Sequence, residues 1–146
     1  MNKDEIFRIG VGAIIHNDKG EVLLGLRGPK ARDQHYKWEL MGGLLEFGET
    51  PEQAVEREIL EEGDIKVKAV DVIGTNMHLS DDKTESWVGM TWLCEFISGT
   101  PKVTEFDRVI DHKWLDLSDA LKAELTPMTR AQLEQYMAWL KRNNKA

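Results

Sequence analysis

Residues 43–65 read Gly43-Leu-Leu-Glu-Phe-Gly-Glu49-Thr50-Pro51-Glu-Gln53-Ala-Val-Glu-Arg57-Glu58-Ile59-Leu-Glu61-Glu62-Gly63-Asp64-Ile65. Thr50 supplies an N-cap, Pro51 a preset first helical residue, and Gln53 the partner that closes a capping box, so a helix starts here. Good helix formers continue to Glu62, and Gly63-Asp64 ends the run. On a wheel of about 100° per residue, Glu58, Glu61 and Glu62 fall within one arc roughly 100° wide. Like charges at these spacings repel by a few tenths of a kcal/mol per pair when solvated. At ~6 Å and an effective dielectric of ~20 the repulsion is roughly 3 kcal/mol. A partly buried cluster therefore calls for cations, and hard carboxylate oxygens suit magnesium or manganese. Three glutamates alone would more simply be a solvated helix surface. The flanking spacing reverses that: Gly43, Glu49, Arg57-Glu58, Glu61-Glu62 and aliphatic Ile65 form one fixed pattern. Chance alone gives it with a probability on the order of 1 in 10,000 or less at ordinary residue usage.

Working outward, Phe7, Ile9, Val11, Ala13 and Ile15 alternate with less apolar positions, the period of a strand with one buried face. Asn17-Asp18-Lys19-Gly20 is turn chemistry before a second apolar run, Val22 to Leu26, which predicts a hairpin. Residues 27–37 are polar and basic and read as a loop, and Trp38 to Met41 read as a short strand stopped by Gly42-Gly43. After the helix, strands are expected at Ile65 to Met77, Trp87 to Ile97 and Val109 to Leu115, with an acidic loop from Leu79 to Glu85. A short helix is expected from Ser118 and a longer one from Thr126-Pro127, with Leu133, Met137 and Leu140, and Tyr136 alongside, packing on a sheet. With no internal repeat or linker, residues 1–146 should form one mixed α/β layered domain.

The formal charge of -7 and pI near 5.1 argue against polymeric nucleic acid or an anionic membrane as partner. A small metal-chelated anion remains allowed, since bound divalent cations invert the local charge. Cys94 is the only cysteine, so it forms no internal disulfide, and a reducing cytoplasm fits. Met1 to Phe7 lack an apolar signal core, and no apolar run approaches the roughly 20 residues of a membrane span.

The pattern from Gly43 to Ile65 resembles the Nudix box: glycine, five residues, glutamate, seven residues, then Arg-Glu-aliphatic-x-Glu-Glu-x-Gly-aliphatic. Asp64 stands where that family has glycine, with Gly63 in the neighbouring free position, and Met41 replaces the proline that commonly precedes the paired glycines. The resemblance implies an α/β/α sandwich with a mixed central sheet and a hydrolase that uses Mg2+, with Mn2+ as a substitute. It implies a metal-binding face of Glu58, Glu61 and Glu62, with the Gly43 carbonyl as an extra ligand and Arg57 orienting a carboxylate. Glu58 or Glu61 would be the general base. Glu49 would support the loop or hold a metal-bound water, although a helix N-terminal acid favoured by the macrodipole reads almost as well. Some relatives place an additional glutamate in a loop comparable to that of Glu105.

Outside the box, Arg27, Lys30 and Arg32 are candidates for phosphate contact, and a solvated basic loop explains them equally well. His35, Tyr36 and Trp38 could stack on a base, with Trp38 better explained as core. His16, His78 and His112 show no metal spacing, and Cys94 reads as packing. The expected reaction is hydrolysis of a phosphoanhydride in a nucleoside diphosphate linked to X, with a nucleoside triphosphate as first choice and sugar- or alcohol-linked diphosphates open. Two rivals remain: a nucleotide-sensing domain of the same family without turnover, and an acidic helix that serves as a protein-interaction surface. A homodimer is a candidate assembly by resemblance.

Overall fold

The computed structural model describes residues 4–103 and 108–145. The strands are β1 (Ile6–His16), β2 (Val22–Arg27), β3 (Trp38–Glu39), β4 (Met41–Leu44), β5 (Ile65–Leu79), β6 (Glu85–Gly99) and β7 (Val109–Leu115). The helices are α1 (Pro51–Gly63), α2 (Leu117–Lys122) and α3 (Pro127–Arg142). The sheet path β3-β2-β1-β6-β5, with β4 added to β1 and β7 to β2, is mixed: β1 runs parallel to β6 and its other pairings are antiparallel. This is the expected α/β sandwich.

Alternation along β1 divides two cores. Val11, Ala13 and Ile15 pack with Ala54, Val55 and Ile59 of α1, while Ile14 faces the cluster of Leu133, Tyr136 and Trp139 on α3. The amphipathic period therefore extends only through the second half of the strand. Phe7 and Ile9 are exposed, because no helix covers that end. The buried face of α3 is Thr129, Gln132, Leu133, Tyr136 and Trp139; it contains the expected Leu133 and Tyr136, has Leu140 partly buried against it, and leaves Met137 outside. Trp139 adds to this face and donates from its indole N–H to Asp71 at 3.0 Å. The hairpin of β1 and β2 pairs only at His16 and Val22, after which β2 leaves to join β3 and β7.

The paired glycines do not stop a strand, as the sequence had suggested; they run inside β4. Gly42 stands opposite Gly12 of β1, and a Cβ built on it would overlap the Val11 carbonyl, so this close approach of strands requires glycine.

Thr50 caps α1 with both halves of the capping box formed. At the other end Asp64 takes the left-handed conformation, φ 55° and ψ 35°, and its N–H donates to the Leu60 carbonyl. Gly63 is the last helical residue, and a Cβ there would come within 2.7 Å of the Met41 methyl, so the contact with β4 favours glycine at this position. The two departures from the family pattern are thus neighbours in space. Asp64→Gly is expected to raise stability by up to about 1 kcal/mol, since glycine is unstrained at positive φ. The exposed Lys102–Asp64 ion pair at 3.1 Å offsets only a little of this. Thermal unfolding tests it, and a lower melting temperature would reject the strain argument.

Candidate active site

The N-terminal half of the box is held by Arg57. Its guanidinium reaches Glu49 twice, at 3.0 and 2.7 Å, and donates to the Leu44 carbonyl at 3.0 Å. It also pairs with Glu58 at 2.9 Å and Glu61 at 3.2 Å. Glu49 in turn accepts from the Glu46 backbone N–H at 2.7 Å, so one arginine ties the loop after β4 to α1. The Arg57 bond pushes the Glu49 carboxyl below the usual carboxylate range, and Glu49 holds Arg57 firmly protonated.

Glu58 lies against β4. A Cβ built on Gly43 would overlap the Glu58 carboxyl group, so the absent side chain of Gly43 is what lets this carboxylate sit on the strand. Glu62, one turn further on, faces a cleft of about 400 Å³ that it lines together with Arg27, Glu39, Gly42, Gly43 and Arg108. Burial pushes the Glu62 carboxyl up to about 7, with the carboxylates of Glu58 and Glu39 adding to the effect. Glu61 is the exposed member of the arc, its side chain 60% accessible.

Among the described residues no three His, Cys, Asp or Glu side chains stand together as a ready-made metal site, and Arg57 engages Glu58 and Glu61. The donor set nevertheless fits a hard divalent cation. Three carboxylates share one helix face, one of them seated on the Gly43 backbone, and the crowded charge at Glu62 is what a cation would relieve.

Arg27 reaches the cleft and is fixed by Glu39 at 2.8 Å and Asp33 at 3.1 Å. Tyr36 is exposed and stands outside the cleft lining. Trp38 packs against the core beside α3, and Cys94 is buried, its thiol pushed up to about 12 by burial. Glu105 lies outside the described residues.

Several lining groups left no local signal in the sequence. Glu39, buried enough to be raised above the usual carboxylate range, is one. His112 is another: it faces the cleft from β7 opposite Gly25, and its ring nitrogens are buried without a well-formed hydrogen bond. Burial lowers its pKa, and the nearby Lys102 backbone offsets only part of this. Asn76, Trp87, Met128 and Gln132 also reach the cleft, from three different elements.

A mixed sheet between helices, with a carboxylate-bearing helix pinned by arginine beside a cleft, makes this an α/β/α protein. The chain belongs to the NUDIX domain family, whose pattern matches residues 6–140. An RNA pyrophosphohydrolase of Acinetobacter baylyi is 41% identical over 73 residues, 50% of this chain. The match spans only 41% of that relative's length. The crystal structure of a MutT NUDIX hydrolase from Burkholderia pseudomallei superposes with a TM-score of 0.77 at 37% identity, covering 90% of this chain and 98% of that one. A MutT protein from Methanosarcina mazei gives 0.78 at 26% identity, covering 97% of this chain and 98% of the other.

Proposed function

We propose that residues 1–146 act as one hydrolase domain that uses a divalent cation, Mg2+ or Mn2+, to cut a phosphoanhydride in a nucleoside diphosphate linked to X. A nucleoside triphosphate, giving monophosphate and pyrophosphate, is the preferred substrate. The observation that carries this reading is the seating of Glu58 on the Gly43 backbone, with Glu62 facing the cleft beside it. Glu58, Glu61, Glu62 and the Gly43 carbonyl would hold the metal, which supplies charge compensation on phosphate oxygens and a lowered pKa for water. Arg57 orients the glutamates, and Glu58 or Glu61 removes the proton of the attacking water. Arg27, in the lining of the same cleft, would contact the phosphates.

A cleft of about 400 Å³ and a net charge of -7 suit a mononucleotide better than a long polyanion. Among the described residues no helix is long and apolar enough to cross a membrane. The test is a panel of nucleoside triphosphates, sugar- and alcohol-linked nucleoside diphosphates and 5′-triphosphorylated RNA with magnesium, with both products identified. Cleavage is expected inside the anhydride, so a triphosphate yields monophosphate plus pyrophosphate, and in 18O water the label enters the product that carries the attacked phosphorus. Stepwise orthophosphate release with accumulating diphosphate would mark an ordinary phosphatase instead. Tight binding without steady turnover would mark a sensor.

A further inference from the structure

The face of the sheet that α1 covers continues past the end of the helix, and there it is left to solvent. Register puts Phe7, Ser86 and Leu79 side by side on β1, β6 and β5, with Ile9, Val88 and Met77 as the next row. The row after that, Val11, Met90 and Thr75, already meets the α1 core through Val11 and Met90. Alternation therefore sets Phe7, Ile9, Val88, Met77 and Leu79 on the α1 side of the sheet. Met77 is 72% exposed, Phe7 64%, Leu79 46% and Ile9 41%.

The loop after β4 extends this surface. Leu45 donates its N–H to the Ile9 carbonyl, which lays the start of the loop along the same end of β1, and two residues on Phe47 stands fully exposed. A ring that buries nothing in its own chain gains nothing from folding, so its place there needs another reason. At about 200 Å² for a fully exposed large side chain, Phe7, Ile9, Phe47, Met77 and Leu79 together leave roughly 650 Å² in water. The largest apolar patch of a typical monomer is about 300–600 Å². A standard interface takes about 800 Å² from each partner, so this face supplies most of what a stable pair needs.

Charge selects the partner. The chain carries a net charge of -7, so two copies repel in most orientations. The rows on this face hold no charged side chain, and apposing the face with itself sets no like charges against each other. Nor is the surface flat: a hollow of about 240 Å³ opens between Phe7, Leu79, Ser86 and Lys83. We propose that this face is the contact between two copies of the chain related by a two-fold axis, with Phe47 of each copy entering the hollow on the other. Glu46 and Glu49 flank Phe47, and the Glu49 carboxylate accepts from the Glu46 N–H and from Arg57, so the contact also steadies the loop that holds Arg57. Pairing of this kind does not depend on which reaction the site performs.

Sedimentation equilibrium of the full chain at micromolar concentrations tests the contact. The expected mass is twice the 16.7 kDa of the single chain. Phe47→Ser and Met77→Glu should each raise the dissociation constant of the pair by roughly 100-fold or more, as loss of a central apolar anchor does. Ile110→Glu, at an exposed apolar position on β7 away from this face, should leave it within about twofold. Phe47 is fully exposed in its own chain, so Phe47→Ser folds and decides the matter even if Met77→Glu does not. A wild-type chain that sediments as a monomer throughout overturns the proposal. So does a monomer that cosediments with phosphatidylcholine vesicles, since the face would then belong to a membrane. A pair that survives Phe47→Ser and Met77→Glu is built on another surface and overturns it as well.

Discussion

Glu61→Gln is expected to leave the fold intact and to lower magnesium-supported turnover by roughly 100-fold or more, a larger loss than the 10- to 100-fold typical of removing a group behind a metal ligand. Its side chain is mostly exposed and its ion pair to Arg57 at 3.2 Å is of the surface kind, so little stability is at stake. Glu62→Gln should separate the two effects further. Its carboxyl is buried beside Glu58 and Glu39, and a neutral amide of the same shape removes that repulsion. This variant should therefore melt at or above the wild-type temperature while turnover collapses. Magnesium should raise the wild-type melting temperature by binding the native state, and both variants should lose much of that shift. Glu56→Gln is the control: Glu56 accepts the Ala69 N–H at 3.1 Å, a bond that an amide oxygen can keep, and its rate should be nearly unchanged. Near-wild-type turnover of Glu61→Gln and Glu62→Gln at limiting magnesium would remove both residues from the metal face.

Gly43→Ala carries the second large effect. The new methyl group would take the space of the Glu58 carboxyl, which is the end of a flexible side chain and can swing away. The expected result is a folded protein, destabilised by about 1–3 kcal/mol for the added bulk, whose turnover falls roughly 100-fold or more because Glu58 has left its seat. Gly42→Ala is the contrasting case. Its Cβ would meet the backbone carbonyl of Val11, which cannot move without parting β4 from β1, so stability itself should fall by about 3 kcal/mol or more. Melting curves and magnesium-dependent rates of the pair distinguish the two mechanisms. A Gly43→Ala variant with full activity would show that the position of Glu58 on the strand does not matter to the chemistry.

What the sequence determined by itself is the part governed by neighbours a few residues apart. The cap at Thr50, the arc of Glu58, Glu61 and Glu62, and the change of conformation at the helix end are set by contacts within one or two turns, and each was readable from spacing. Which of Gly63 and Asp64 would be left-handed was not, because both residue types reach that conformation and spacing does not choose between them. The same limit applies to the paired glycines, whose place inside β4 depends on how closely β1 approaches. It applies to the cleft above all. Arg27 was found in the sequence as a basic residue after a strand, but its partner Glu39 and the ring of His112 reach it only when β2 pairs with β3 and β7, and the Gln132–Thr91 bond forms only when α3 folds back over the sheet. Those contacts join different elements, and no periodicity or local spacing encodes them. Tertiary packing also set Tyr36 outside the cleft lining and added Trp139 and Gln132 to the buried face of α3. The glutamate-bearing helix is thus a local object written in consecutive residues, and the cleft beside it is made by strand pairing and helix docking at long range.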